Sequence, residues 1–241
     1  MDSRPDDARL RSRIVRQALS VAFAVAPFGV VFGVACADAG LTWLDAAGFS
    51  LLTFAGSSQF AAVGVLGDGG TAAAAIGAGL LLNIRSLAFG VLLAPVLEGP
   101  RWKRAVLAQL VIDESTAVAT AQEEHRWRRY GFLAGGLAVF VVWNLTTLLG
   151  VALASVGDEL ITDWGLDAAE PAAFLGLLWP RLSATVGSRK LGGEGLRIAL
   201  LGAAIAALVV PFTPPGIPIL LAGIGVLAAG RPPAPVRDPS S

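Results

Sequence analysis

Eight apolar runs dominate this chain, near residues 16 to 37, 44 to 66, 71 to 97, 104 to 121, 130 to 156, 168 to 186, 196 to 211 and 215 to 230. A hydrocarbon layer about 30 Å thick is crossed by about 20 apolar residues rising about 1.5 Å each, and most of the runs approach that length. Of 241 residues, 55% are hydrophobic and 15% charged, with a mean hydropathy of +0.69; a soluble domain carries about a quarter of charged residues. The expected fold is an all-α integral membrane protein, a polytopic helix bundle of about seven or eight hydrophobic segments, some of them broken or re-entrant. Residues 1–15 read as an Arg-rich cytoplasmic tail, 16–230 as a single transmembrane domain and 231–241 as a Pro-rich cytoplasmic tail. The run from Ala18 to Ala35 exceeds the core of a secretory signal, about 7 to 15 residues, and contains Pro27 and Gly29, so it reads as an uncleaved first helix.

Composition also excludes. Zero net charge leaves no basic surface for nucleic acid. Cys36 is the only cysteine and His125 the only histidine, which removes an intrachain disulfide, a thiolate metal site and most triad chemistry. No Gly-rich phosphate loop is present, so direct ATP coupling within the chain is not expected.

Lysine and arginine near segment ends favour the cytoplasm. The linker from Val156 to Asp167 has neither, whereas Arg189, Lys190 and Arg231 mark inside ends, and these alternate properly. The first half does not. The amino terminus, the linker with Arg101, Lys103 and Arg104, and the linker with Arg126, Arg128 and Arg129 all look cytoplasmic, yet three runs separate the first two and one separates the last two. Two runs therefore have to enter and leave on one side, or the rule is overridden locally. The candidates are those interrupted by Ala55-Gly56-Ser57-Ser58-Gln59, by Asn83-Ile84-Arg85-Ser86 and by Asp113-Glu114. Broken backbone at membrane depth is tolerated where it is buried in protein or lines a wet cavity.

An arginine at the centre of a membrane helix costs about 2.5 to 3.5 kcal/mol on insertion scales, so Arg85 requires a counter-charge. Asp113 and Glu114 are the candidates, because a guanidinium pairs with a carboxylate through parallel hydrogen bonds. If the run is one helix, Gln109, Asp113, Thr116 and Thr120 share a face, at offsets of four, three and four. Gly56, Ser57, Ser58 and Gln59 offer hydroxyls, an amide and a backbone free to break. Asn83 lies beside Arg85, and Trp143, Asn144 and Thr147 add a polar patch on the fifth run. The competing explanation is plain: hydroxyls, amides and a salt bridge also glue helices together. Gly29-x-x-x-Gly33 and Gly131-x-x-x-Gly135 allow close helix approach, and Trp102, Trp127, Trp164 and Tyr130 sit where interface anchors sit.

The stretches FAGSSQF (54 to 60), LLLNIRSLAFG (80 to 90), IDESTAVA (112 to 119), WNLTTLLG (143 to 150) and GLDAAEPAAFLGLLWPRL (165 to 182) occur in an order and at spacings that resemble the AzlC family, the large subunit of bacterial branched-chain amino acid permeases and exporters. The resemblance covers roughly residues 16 to 230 and implies a multi-pass protein of the bacterial inner membrane with a cytoplasmic amino terminus. It implies transport of leucine, isoleucine, valine and similar amino acids such as methionine, chiefly export, driven by an ion gradient without cofactor or metal. The implied partner is a small hydrophobic membrane subunit of the AzlD type. The family commonly has N-x-R-H where this chain has Ser86, which leaves Asp113 and Glu114 as the candidates for proton or ammonium coupling. Residues and resemblance together predict a substrate carboxylate at Arg85 or the amides of Gly56 to Gln59, with Asn83 and Asn144 nearby. Phe54, Phe60 and Phe89 form the expected apolar wall for a branched side chain. A non-transporting scaffold or assembly subunit is the alternative. An intramembrane enzyme is not expected, because adjacent Asp113 and Glu114 point about 100° apart on a helix.

Overall fold

Close approach of two long helices sets the frame of a computed structural model that describes residues 5–155, 192–214 and 216–224. Helix α1 (Pro5–Asp38) and helix α8 (His125–Ala154) are long and apolar enough to cross a bilayer. They run parallel: Asp7 meets Arg126 near one end, Phe32 stacks on Trp143, and Gly33 meets Thr147 and Gly150 farther along. A Cβ at Gly33 would stand 2.0 Å from the Thr147 carbonyl oxygen, and one at Gly150 would stand 2.0 Å from that of Val30. Only hydrogen at these positions lets the backbones touch.

Between these helices the chain makes three broken excursions. Helices α2 (Trp43–Thr53) and α3 (Gly56–Gly67) are each too short to cross a bilayer. They form a hairpin, because a Cβ at Gly67 would lie 3.5 Å from that of Ala39, so the chain returns to the level it left. The next excursion crosses. Helices α4 (Ala72–Asn83) and α5 (Arg85–Leu93), with a 3-10 turn at Ala94–Val96, make a pair bent by 45° that passes as one span. Helix α4 lies antiparallel to α3, Gly79 opposite Ser58, and the far end brings Glu98 to His125 at the start of α8.

Helices α6 (Arg101–Ala108) and α7 (Asp113–Thr120) form a second hairpin. Leu110 at its tip meets Gly136, Ser115 meets Gly135, Val118 meets Gly131, and Gln122 accepts from Arg128 at the start of α8. The two hairpins enter from opposite ends and meet tip to tip: Gln109 Nε2 donates to the carbonyls of Leu51 and Leu52 at 2.9 and 3.0 Å.

The arginine-bearing starts of α1, α6 and α8 share one end. Among the described residues there are helices and no strand, and two helices are long and apolar enough to cross a bilayer, or three counting the bent pair as one span. The polar stripe expected across one helix is corrected: Gln109 lies on a turn between α6 and α7, and the Thr116 and Thr120 hydroxyls donate to the carbonyls of Ile112 and Thr116 in the preceding turn. The Arg-rich start is helical from Pro5, with Leu10 and Ile14 packed toward Val118 and Trp127. Trp127 is thus buried in the core and not an exposed anchor.

The chain divides into two compact units, Met1–Ala173 and Phe174–Ser241. In the second, helix α9 (Gly192–Val209) ends in a 3-10 turn containing Pro211, and helix α10 (Ile217–Ala222) follows. The expected run at 168 to 186, Trp164, Arg189, Lys190, the 165 to 182 stretch and the 231–241 tail lie outside the described residues.

Candidate functional site

Three breaks fall close together beside the middle of α8. The α2–α3 hairpin turns through Phe54, whose φ of 27° is unusual for a residue with a side chain, and Phe54 is held there by its edge-on contact with Phe140, centroids 4.9 Å apart. Ile84 separates α4 from α5. The α6–α7 turn is sealed by Ser115, whose hydroxyl donates to the Leu110 carbonyl and accepts from the Ile112 N–H. After each break a helix restarts, placing Ser57, Arg85 and Asp113 in first turns.

Those three side chains meet. Arg85 Nη1 stands 3.1 Å from Asp113 Oδ2, and Arg85 Nη2 donates to Ser57 Oγ at 2.9 Å. A helix start carries partial positive charge from N–H groups that lack partners in their own helix. That field suits Asp113 and Glu114 at the start of α7 and works against Arg85 at the start of α5, so the Asp113 carboxylate offsets two unfavourable situations at once. Both side chains of the pair remain about one-third exposed, at 32% and 31%.

Around the breaks lie polar atoms with no partner. Ser58 Oγ, Gln59 Oε1, Trp143 Nε1 and Asn144 Oδ1 are buried and make no hydrogen bond, although Gln59 and Asn144 use their amide nitrogens on the Phe49 and Phe140 carbonyls. Leaving such a group unsatisfied costs about 1 to 3 kcal/mol, so their clustering on α3 and α8 points to an occupant or to water.

Two cavities adjoin the breaks. One of about 570 Å³ lies between α2, α3 and α4 and reaches from Leu41 and Asp45 to Thr53, Ser58 and Asn83. A second, of about 260 Å³, begins at Thr53 and Asn83 and continues past Ser86 and Gly90 toward Leu97, with Gln109 on its wall. A third, of about 250 Å³, sits between Leu93, Thr120 and His125. None of the three is lined by Arg85 or Asp113.

The residues expected to bind are therefore distributed. Ser57, Arg85 and Asp113 come together; Ser58 and Asn83 face the large cavity; Ser86 donates to the Asn83 Oδ1. Gly56 lies against the Trp143 ring, where a Cβ would be 3.2 Å away. Glu114 starts α7 beside Asp113. The three phenylalanines do not form one wall. Phe60 is fully buried against Phe32 and Trp143, Phe54 lines the 260 Å³ cavity, and Phe89 is half-buried on α5 away from all three cavities. Residues not singled out from sequence include Thr53, at the junction of two cavities, and Ser50, whose buried hydroxyl is 3.4 Å from that of Thr147.

At the arginine-rich end, Glu98 bonds His125 at 2.8 Å and also pairs with Arg129. The His125 hydrogen bond, with the Arg129 charge, holds the Glu98 carboxyl below the usual carboxylate range. Among the described residues no group of three or more His, Cys, Asp or Glu side chains is placed to hold a metal.

A family model described as AzlC protein matches residues 20–156, which span α1 to α8 and all three breaks. No curated protein and no solved structure matches the chain.

Proposed function

We propose that this chain, which belongs to the AzlC family, exports leucine, isoleucine, valine and methionine across the bacterial inner membrane, driven by an ion gradient and together with a small hydrophobic subunit of the AzlD type. Membership makes it a membrane protein related to branched-chain amino acid transport; direction, driving ion, partner and a cytoplasmic amino terminus belong to the proposal. The observation that carries it is the Arg85–Asp113 pair where three broken segments meet.

A zwitterion is suited to such a pair. Its carboxylate takes over from Asp113 as the partner of Arg85, assisted by Ser57 and the first-turn amides of α3, while its ammonium takes Asp113 or Glu114. With Asp113 as the ammonium's partner, both members of the pair keep a counter-charge at either stage, which matters at membrane depth. Coupling to an ion gradient is assigned to the same carboxylates, Asp113 and Glu114, at the start of α7. Ser58 and Asn144, with buried oxygens lacking partners, supply neutral contacts.

The test is efflux of preloaded labelled leucine by Arg85→Ala and Asp113→Asn variants whose amount in the membrane is measured in parallel. Flux lost at normal membrane levels supports the proposal. Loss of the protein itself favours the second reading, a non-transporting scaffold or assembly subunit, for which the same pair is a pin between α3, α5 and α7.

A further inference from the structure

We propose that the solute crosses along one face of the broken span α4–α5, through two half-cavities that meet at Thr53 and Asn83, and that this path admits net-neutral solutes with aliphatic side chains. What moves rests on the transport reading above; where it moves rests on geometry.

Ala72, Ala75, Gly79 and Asn83 recur at offsets of three, four and four on α4, and Ser86 and Gly90 lie four apart on α5, so each half of the bent pair presents a stripe. The first four line the 570 Å³ cavity and the last three the 260 Å³ cavity, Asn83 belonging to both. The first half is walled by the α2–α3 hairpin. The second has Ala108, Gln109 and Val111 of the oppositely entering hairpin on its wall. The lining thus passes from one hairpin to the other where their tips touch. Binding pockets for small molecules commonly run from about 300 to 1,000 Å³, and the larger half alone falls in that range.

Two further observations mark this face as a path and not a packing defect. Ser58 is 2% exposed, and its hydroxyl, on the cavity wall near the junction, has no partner. A buried hydroxyl without a partner costs about 1 to 3 kcal/mol unless something fills the space beside it. The lining also has one charged residue in the two halves together, Asp45 at the far mouth, and its carboxylate is engaged by the Thr42 N–H and hydroxyl. A solute with net charge would shed water here without meeting a counter-charge. A zwitterion reaches the junction, where Ser58 follows Ser57 and Asn83 lies two residues before Arg85, with its aliphatic side chain against Leu44, Ile76 and Leu80.

Gly48 and Gly90 make the test clean. Each lines one half-cavity, and a Cβ at either would meet nothing within 4 Å, so the side chains of Gly48→Leu and Gly90→Leu start into the path without a Cβ clash. With the small subunit present, each variant is expected to reach the membrane and to lose leucine flux by at least about tenfold, with alanine flux less affected and Ala73→Leu, off the stripe, behaving as the parent. Wild-type leucine flux in either variant at normal membrane levels overturns a path running through both halves and leaves transport itself standing. A second arm needs no substrate. In a Cys36→Ala background, Gly48→Cys and Gly90→Cys should react with a membrane-impermeant thiosulfonate, each from its own side of the membrane, and Ala88→Cys, in the middle of α5 and off all three cavities, should not. Reaction no faster than the Ala88→Cys control at both positions overturns the path whatever the protein carries.

Discussion

Arg85 and Asp113 are 28 positions apart in sequence and 3.1 Å apart in space, joined at the point where the bent span α4–α5 meets the start of α7. Ser57 accepts a hydrogen bond from the same guanidinium at 2.9 Å, so one side chain ties both re-entrant hairpins to the span between them. Neutralising one member leaves the other charged at membrane depth. Because both side chains are about one-third exposed, the cost should fall below the about 3 to 5 kcal/mol of a fully buried pair broken on one side.

Exchange of the two charges separates structure from function. Arg85→Asp combined with Asp113→Arg restores an ion pair, and its melting temperature in detergent should exceed that of either single variant. Flux should stay lost, since the carboxylate-binding charge has moved from α5 to α7. Recovery of flux along with stability would mean that the pair is only a pin.

The hairpin tips rest on one amide. Gln109→Leu removes two donations to the exposed Leu51 and Leu52 carbonyls at the end of α2 and should cost about 0.5 to 1.5 kcal/mol. Hydrogen exchange should quicken at residues 50 to 56 and stay unchanged in the middle of α8. Unchanged exchange at the tip would show that α2 is held by other contacts.

Legibility in the sequence followed the strength of each constraint. Arg85 announced its need for a carboxylate because an unpaired guanidinium is intolerable in hydrocarbon, and Asp113 stood within reach of one more break. The hairpins left a trace as arginine clusters that would not alternate. Their opposite directions of entry left none, since an apolar run reads the same from either end. Gln109 misled for a local reason: offsets of four and three imply one helix face only if the helix is continuous, and Ser115 stabilises a turn there by taking the Leu110 and Ile112 backbone groups. Phe60 and Phe54 looked alike in sequence, yet one packs on Phe32 in the core and the other lines a cavity, a distinction made by tertiary contacts alone.

Helix spacing between α1 and α8 should be unforgiving. Gly33→Ala places a Cβ 2.0 Å from the Thr147 carbonyl, and relief requires the backbones to separate. Overpacking of this kind costs about 1 to 3 kcal/mol, and a lowered melting temperature in detergent is the readout. A variant as stable as the parent would show that the two helices do not pack this closely.

Acid should loosen the arginine-rich end. Glu98 has a carboxyl lowered first by the His125 hydrogen bond and then by the Arg129 charge. A group lowered on folding contributes stability above its unfolded value, about 4.3 for glutamate, and the contribution is lost as pH falls through the folded value. The melting temperature of the parent should therefore fall more steeply below about pH 4.3 than that of Glu98→Gln. Parallel curves would remove Glu98 as a source of acid sensitivity.

The most direct measurement is efflux of preloaded labelled leucine, isoleucine, valine and methionine from cells lacking their own exporters, expressing this chain with and without its small hydrophobic subunit. Export by this chain predicts efflux above the empty-vector rate that depends on the subunit and disappears with Arg85→Ala at unchanged membrane levels. Efflux at the empty-vector rate, with both proteins inserted, would contradict it.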